Sequence, residues 1–466
     1  MLDSHTESLL QLEITCGMKT RIEDARSLLL SLNPDLVGDS GHYLNYEKRI
    51  REACVDTGIA YRCLANRRLA IQDPDLVPTF EHDSGYFSLV RRAAAGQEKG
   101  IANEFFDAVN EALVKIDPNR KFERVWVFLY CGSSALAARL GALPWEAHIH
   151  VCINAFFDFL LPDRRYRHVA TLPFQRQVTL LAMSDLHRDE IKDATGLVFT
   201  PIPNPPPLLR DSQSYLEIQA QASGIWRQGG LQVFVPGLMT MGKGADATRE
   251  LFGYLSRVSV PDAKFVFRDR QGLLGGSTSD ATSVVVGDLT DDQIAGLYRA
   301  SDFVVLPYEA STFGVRTSGA LVDCLMFGAV PLVLSGTWLA SVCQRLGVGH
   351  VLQDMRPATL LRCIGEAATR LSAERIRTLQ AAGRYLALHH WGKLVAVVTR
   401  DQEAALAAPA ATALQSEPSA LAVANRLFRE GRIEDAATIY KWLQQSATLD
   451  IYQTNLRLCE LRLAGH

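Results

Sequence analysis

Along this chain, short apolar runs rich in β-branched residues alternate with stretches whose apolar positions recur at helical spacing. In the first half, ARSLLLSL, IAYRCLA, RVWVFLYC, AHIHVCI, QVTLLAM and LVFTPI predict strands. Between them NYEKRIREACVDTG, NEFFDAVNEALVKI, SSALAARLGAL and SDLHRDEIKDATG predict helices. The last opens on Ser184, an N-cap residue type, and closes on Gly196, which suits the left-handed position after a helix. Continuous apolar strands separated by amphipathic helices describe a parallel sheet covered on both faces.

The prolines of PIPNPPP (201–207) remove backbone donors and stop regular structure, so this stretch and the polar segment 208–230 predict a crossing between domains. The pattern restarts with LQVFVPG, KFVFRD, SVVVG, DFVVLPY and AVPLVLS as strands. Two doubly wound α/β domains follow, 1–207 and 231–403, facing a cleft in which ligands bind beyond the carboxyl ends of the strands. An Ala/Pro/Ser-rich segment (404–418) predicts a second linker. The tail 419–466 has helical periodicity on both sides of Gly431. With Ala436 and Tyr440 it resembles one tetratricopeptide unit and the start of another. So short an array makes no peptide groove, and the expected role is a small α-helical appendage that caps the second domain or forms a homodimer contact.

Composition narrows the function classes. The formal charge is −3 over 466 residues, which gives no general attraction for nucleic acid. The nine cysteines are scattered singly without a CxxC pair, a usage that fits a reducing, cytoplasmic setting and neither a disulfide framework nor a metal site. The amino-terminal residues carry acids where a signal peptide needs basic and apolar ones. AFFDFLL (155–161) is a conspicuous apolar run that fits core packing, an acceptor groove or a peripheral membrane contact.

Two motifs carry candidate chemistry. In VFVPGLMTMGKGADATRELFGYL (233–255) a strand ends at Gly237, and Lys243-Gly244 opens a helix. A glycine turn at a helix N-terminus offers backbone N–H groups to a phosphate, and lysine adds a point charge. A plain strand-to-helix turn with a solvated lysine explains the same residues. In ASDFVVLPYEASTFGVRTSGALVDCLMFGAVPLVLS (300–335) a strand ends near Pro307, and Thr317 or Ser318 can cap a helix beginning near Gly319. Arg316 stands beside that terminus, and Asp323 lies within the helix, able to accept from vicinal sugar hydroxyls. A conventional cap with an exposed arginine and aspartate is the alternative.

Taken in order, these pieces resemble the donor half of GT-B glycosyltransferases. The resemblance is to the large retaining family that includes sucrose synthases and bacterial mannosyl- and glucosyltransferases. Its motifs G-R-L-x-x-x-K-G and E-x7-E-A-L-A-x-G-x-P-V-V find counterparts in Gly237 to Gly244 and in Asp323 to Pro331. The likeness is strong over about 232–400, including HHWGKLVAVV as a last helix returning toward the first domain, and weaker over 27–205.

The resemblance implies transfer of a sugar from a nucleotide-diphosphate donor to an acceptor hydroxyl of a glycan, lipid-linked or protein acceptor. It implies retention of configuration and needs no metal or other cofactor. Lys243, Gly237 and Gly244 would meet the diphosphate, Asp323 the ribose, and Arg316, Thr317, Ser318 and Gly319 the diphosphate or sugar. Gly41 and His42 match the amino-terminal loop that reaches the same phosphates, and His150, Asn154 and Asp158 are the candidate catalytic residues on the acceptor side. Two departures stand out. Leu238, Met239, Thr240 and Met241 fill the loop where the family carries an arginine, and Val315 falls where it carries the first glutamate. A GT-B epimerase or phosphorylase would use the same ligands, though no pyridoxal lysine context is present. A non-catalytic nucleotide-binding scaffold of this fold is the reading from another class.

Overall fold

The computed structural model describes residues 25–38, 42–83, 98–143, 146–156, 164–173, 175–208, 230–237, 242–258, 260, 262–275, 281–399, 433, 437 and 440, with only the backbone described at 42, 98, 99, 164 and 165. The chain divides into two compact units, Met1–Asn204 with Trp391–Ala408, and Pro205–His390 with Pro409–His466.

The first unit is built on a seven-stranded sheet in the order β3-β2-β1-β4-β5-β6-β7. Its strands are β1 (Ser27–Asn33), β2 (Ala60–Asn66), β3 (Leu76–Phe80), β4 (Arg124–Leu129), β5 (Ile149–Asn154), β6 (Val178–Ala182) and β7 (Thr200–Pro201), and every pair is parallel. Sequence patterning misses β3 because Pro78 sits inside it. Proline is tolerated there because β3 is an edge strand paired only with β2. Ser184 caps its helix by accepting from His187 N, and Gly196 takes a left-handed φ of 73°. The SSALAARLGAL segment forms only a single helical turn, Ser134–Ala137, followed by a 3-10 turn at Leu140–Ala142.

The second unit is a six-stranded parallel sheet in the order β10-β9-β8-β11-β12-β13. Its strands are β8 (Leu231–Val235), β9 (Ala263–Asp269), β10 (Thr282–Val286), β11 (Phe303–Leu306), β12 (Val330–Leu334) and β13 (His350–Leu352). The three-residue β13 is too short to leave a periodic signal. Val233, Phe265, Phe267, Phe303 and Val305 project from one face into a core closed by the helices Ala245–Leu255 and Pro357–Ala368. Both sheets are doubly wound: strand order reverses between β1 and β4 in one and between β8 and β11 in the other. This is the two-fold Rossmann-like α/β arrangement expected of the GT-B class.

The last described helix, Trp391–Thr399, follows the second unit in sequence but packs on the first. Leu394, Val395 and Val398 join the core formed by Leu29, Trp126 and Phe128, and Cys152 Sγ donates to Val398 O at 2.9 Å. In the carboxyl-terminal tail the description reaches only Ile433, Ala437 and Tyr440, the latter two buried, so the repeat-like reading lies almost wholly outside the described residues. Among the described residues no helix is long and apolar enough to cross a membrane, and the seven described cysteines are free.

Asp302 ties the start of the second sheet together. Its Oδ2 accepts from Gln232 N at 2.9 Å, and its Oδ1 accepts from Arg375 Nη1 at 3.0 Å. Arg375 Nε in turn donates to Gly328 O at 3.2 Å. Both charged side chains are largely removed from water, so removing one leaves the other uncompensated. Asp302→Ala is expected to lower unfolding free energy by about 3 kcal/mol in denaturant titrations. Loss of under about 1 kcal/mol would show that the pair is not a structural tie.

Candidate functional site

In the second unit, the switch point between β8 and β11 receives the loops that follow both strands. The chain after β8 turns at Gly242–Gly244 and enters the Ala245–Leu255 helix with Gly244 as N-cap. Gly242 and Gly244 both lie in the left-handed region, at φ 82° and 73°. The turn also rests directly on the chain leaving β11. A Cβ on Gly244 would stand 2.0 Å from Pro307 O, and one on Gly242 would stand 2.5 Å from Thr312 Oγ1. Glu309 N donates to Gly242 O at 2.9 Å and closes the contact. Only glycine permits this approach, and its effect is to hold Lys243 over the end of β11.

Lys243 Nζ lies 5.9 Å from the centre of the Tyr308 ring, Tyr308 packs on Phe313 at 4.5 Å, and the Arg316 guanidinium lies 5.3 Å from the Phe313 ring. Burial, Arg316 and Arg268 together push the Lys243 amine down to about 8. Arg268 enters from the end of β9, a residue that sequence reasoning passed over as part of a strand. Its guanidinium is pulled down chiefly by its own burial. Burial pushes the Tyr308 phenol up to about 12, against the opposing pull of a Ser318 hydrogen bond, Arg316 and Arg268. Among the described residues neither Lys243 nor Arg268 forms an ion pair. The site is thus a patch of positive potential lined by aromatic rings, at the end of the sheet where ligands of doubly wound folds bind.

The helix Gly319–Met326 borders the same switch point. Ser318, not Thr317, is the N-cap, its hydroxyl accepting from Leu321 N at 3.4 Å. Asp323 is buried within this helix and accepts from Leu208 N at 3.3 Å. Burial drives its carboxyl well above the usual range, with the Leu208 hydrogen bond opposing. Pro207 lies over Gly319, 3.2 Å from where a Cβ would be. The segment after the proline crossing therefore occupies one oxygen of the carboxylate expected to meet ribose. Gly237 lies just beyond β8, with space at its Cβ position and Lys243 O at 3.7 Å. Val315 occupies the position of the family glutamate, and Glu309 caps a separate helical turn, Ala310–Phe313.

In the first unit the ends of β4 and β5 carry aromatic and amide side chains. Asn154 is fully buried at the end of β5, donates from Nδ2 to Tyr130 O at 3.0 Å, and its Oδ1 has no partner among the described residues. Tyr130 packs on Tyr46 at 4.2 Å and on Phe156 at 5.5 Å. His150 shares the strand, but at its opposite half, roughly 13 Å from Asn154 at about 3.3 Å per residue. The two residues therefore do not meet at one end of the sheet. Gly41 and Asp158 lie outside the described residues, as does the side chain of His42. A cavity of about 350 Å3 beside β3 is lined by carboxylates including Glu81, Asp107 and Glu111, a potential of the wrong sign for a phosphate ligand.

No family model matches the sequence, and no curated protein matches it. Solved structures do resemble the fold. Sucrose-phosphate synthase from Thermosynechococcus elongatus superposes with a TM-score of 0.56 at 12% identity, covering 82% of this chain and 100% of its own. An α,α-trehalose 6-phosphate synthase from Burkholderia multivorans gives 0.56 at 10% identity, with 82% and 99% covered. The Escherichia coli trehalose-6-phosphate structure bound with UDP-2-fluoro glucose gives 0.55 at 10% identity, with 80% and 99% covered. At such identities the likeness is one of fold, and the two-unit architecture is that of GT-B glycosyltransferases.

Gly244→Ala is expected to destabilise the protein by more than about 1 kcal/mol, because the new methyl group meets both a left-handed backbone and Pro307 O. Thermal unfolding of this variant beside Gly253→Ala, whose Cβ position is open, measures the difference. Equal melting temperatures would contradict the contact.

Proposed function

We propose that this protein is a glycosyltransferase that moves a sugar from a nucleotide-diphosphate donor to an acceptor hydroxyl. The observation that carries the reading is Lys243, held by the Gly242–Gly244 turn at the switch point of the second sheet beside Arg316 and Arg268. Doubly wound sheets bind nucleotides at this place, and a cluster of cations there favours a polyanion. The likeness to structures described as synthases of sucrose phosphate and trehalose 6-phosphate supports the same class.

In the proposed reaction the bond from the sugar C1 to the terminal phosphate oxygen breaks and its electron pair stays on the diphosphate. The acceptor oxygen bonds to C1 and releases its proton. Negative charge grows on the leaving diphosphate, and Lys243 and Arg316 are the groups that stabilise it. Asp323 would hold the ribose hydroxyls in place of, or together with, Leu208 N. The acceptor would dock on the first unit near Asn154, where the strand ends carry aromatic and amide groups rather than charge. Retention of configuration follows from the family resemblance alone.

Turnover with a panel of UDP-, GDP- and ADP-sugars tests the activity. Nucleotide binding with no turnover on a broad acceptor set would favour the scaffold reading. Lys243→Ala and Asp323→Ala are each expected to weaken nucleoside-diphosphate binding by about tenfold or more in calorimetric titrations, consistent with loss of a charged hydrogen bond. Lys243→Ala should do so without loss of thermal stability, since Lys243 has no ion pair among the described residues. Wild-type affinity in both variants would remove the assigned site.

Lys243 also sets a pH dependence. Its amine is half deprotonated near pH 8 in the free protein, and a diphosphate ligand requires the ammonium form. Affinity in the wild type is therefore expected to fall as pH rises through about 8, and to lose that dependence in Lys243→Ala. A flat wild-type profile from pH 7 to 9 would contradict the lowered amine.

A further inference from the structure

Arg268 occupies the second sheet in an unusual way for a cation. Along β9, Phe265 and Phe267 enter the apolar core, so Val266 and Arg268 project from the opposite face. Arg268 is in register with Val285 of β10, and its neighbour Phe267 is in register with Val235 of β8. It therefore stands level with the first residue beyond β8, at the mouth of the loop that leads to Lys243. Its side chain is half-buried, and Nε is shielded from solvent with no hydrogen-bond partner among the described residues.

The carboxylates near Arg268 are committed elsewhere. Asp288 pairs with Arg270 at 2.5 Å. Asp269 lies on the other face and accepts from Leu274 N at 2.6 Å. Asp323 accepts from Leu208 N. The groups that act on Arg268 from the adjoining elements are Tyr298, Arg270, Asp288 and Tyr308, and it acts in turn on Lys243. A partly buried guanidinium with no anion bonded to it among the described residues is a poor arrangement in the free protein and a favourable one around a bound polyanion.

We propose that Arg268 is a phosphate ligand of this site, gripping the diphosphate of the nucleotide together with Lys243 from across the switch point. The loop after β8 offers only Leu238, Met239, Thr240 and Met241 to an anion, and Arg268 supplies from the neighbouring strand the second cation that this loop lacks. The inference rests on the nucleotide-sugar reading above and adds to it a residue and a preference: diphosphates bind better than monophosphates because two cations approach from different strands.

Calorimetric titration of the full-length protein with UDP, GDP and ADP, and with UMP, GMP and AMP, tests it. Arg268→Gln should weaken the best-bound diphosphate by about tenfold while changing its monophosphate by less than about threefold, and Arg268→Lys should recover part of the loss. Removing the like charge should also move the pH midpoint set by Lys243 upward, a shift that a purely structural role would not produce. Wild-type diphosphate affinity in Arg268→Gln, alongside weakened binding in Lys243→Ala, would overturn this role and leave the donor reading standing. Equal loss for mono- and diphosphates, with an unmoved pH midpoint, would overturn it too. A wild-type protein that binds none of the six nucleotides would overturn both.

Discussion

The contact between the Gly242–Gly244 turn and the chain leaving β11 is the constraint from which the candidate site follows. The backbones touch directly at Gly244, the Thr312 side chain rests on Gly242, and Glu309 N bonded to Gly242 O holds the contact together. The contact fixes the direction in which the loop after β8 returns to its helix. That direction puts Lys243 above Tyr308, and Tyr308 and Phe313 form the apolar bed on which Lys243 and Arg316 rest. Aromatic faces attract cations without neutralising them, so the bed holds positive charge in place and leaves it available to an anion.

The fold was legible wherever apolar runs were long enough. The strands β1, β2 and β4 through β12 lie within the segments that patterning predicts or run one residue beyond them, because a parallel sheet buried on both faces demands unbroken apolar runs. β3 escaped because Pro78 argues against a strand unless its edge position is known, and β13 because three residues carry no period. The site was legible only in part. Lys243 and Gly244 announce themselves as a glycine turn with a cation. Arg268 does not, since an arginine in a strand reads as a residue on a solvated face until the neighbouring strands are placed beside it. Asp323 was recognisable by its spacing, but its bond to Leu208 N depends on where a distant proline segment comes to lie.

The two sheets bring different chemistry to their carboxyl ends. The second gathers cations whose repulsion is tolerable only at partial burial. The first gathers Asn33, Tyr46, Tyr130 and Asn154, with a buried Glu47 behind them held by Asn33 Nδ2 at 2.7 Å and by the Tyr61 hydroxyl. Burial pushes the Glu47 carboxyl up and these donors oppose the shift. Neutral hydrogen-bonding groups among rings suit a polyhydroxy ligand, whereas cations suit its activated, phosphorylated counterpart. Under the proposed function, acceptor and donor would thus fall to different sheets of one chain.

The return of the Trp391–Thr399 helix to the first unit bears on how the protein is made. The sheet of that unit is complete in sequence at Pro201, yet Leu394, Val395 and Val398 form part of its core. At typical synthesis rates of about 5–20 residues per second, the intervening chain takes roughly 10–40 s to emerge. Throughout that interval the side chains of Leu29, Trp126 and Phe128 lack their final cover. The first unit is therefore the earliest to begin, but its core is completed only after residues 205–390 have emerged.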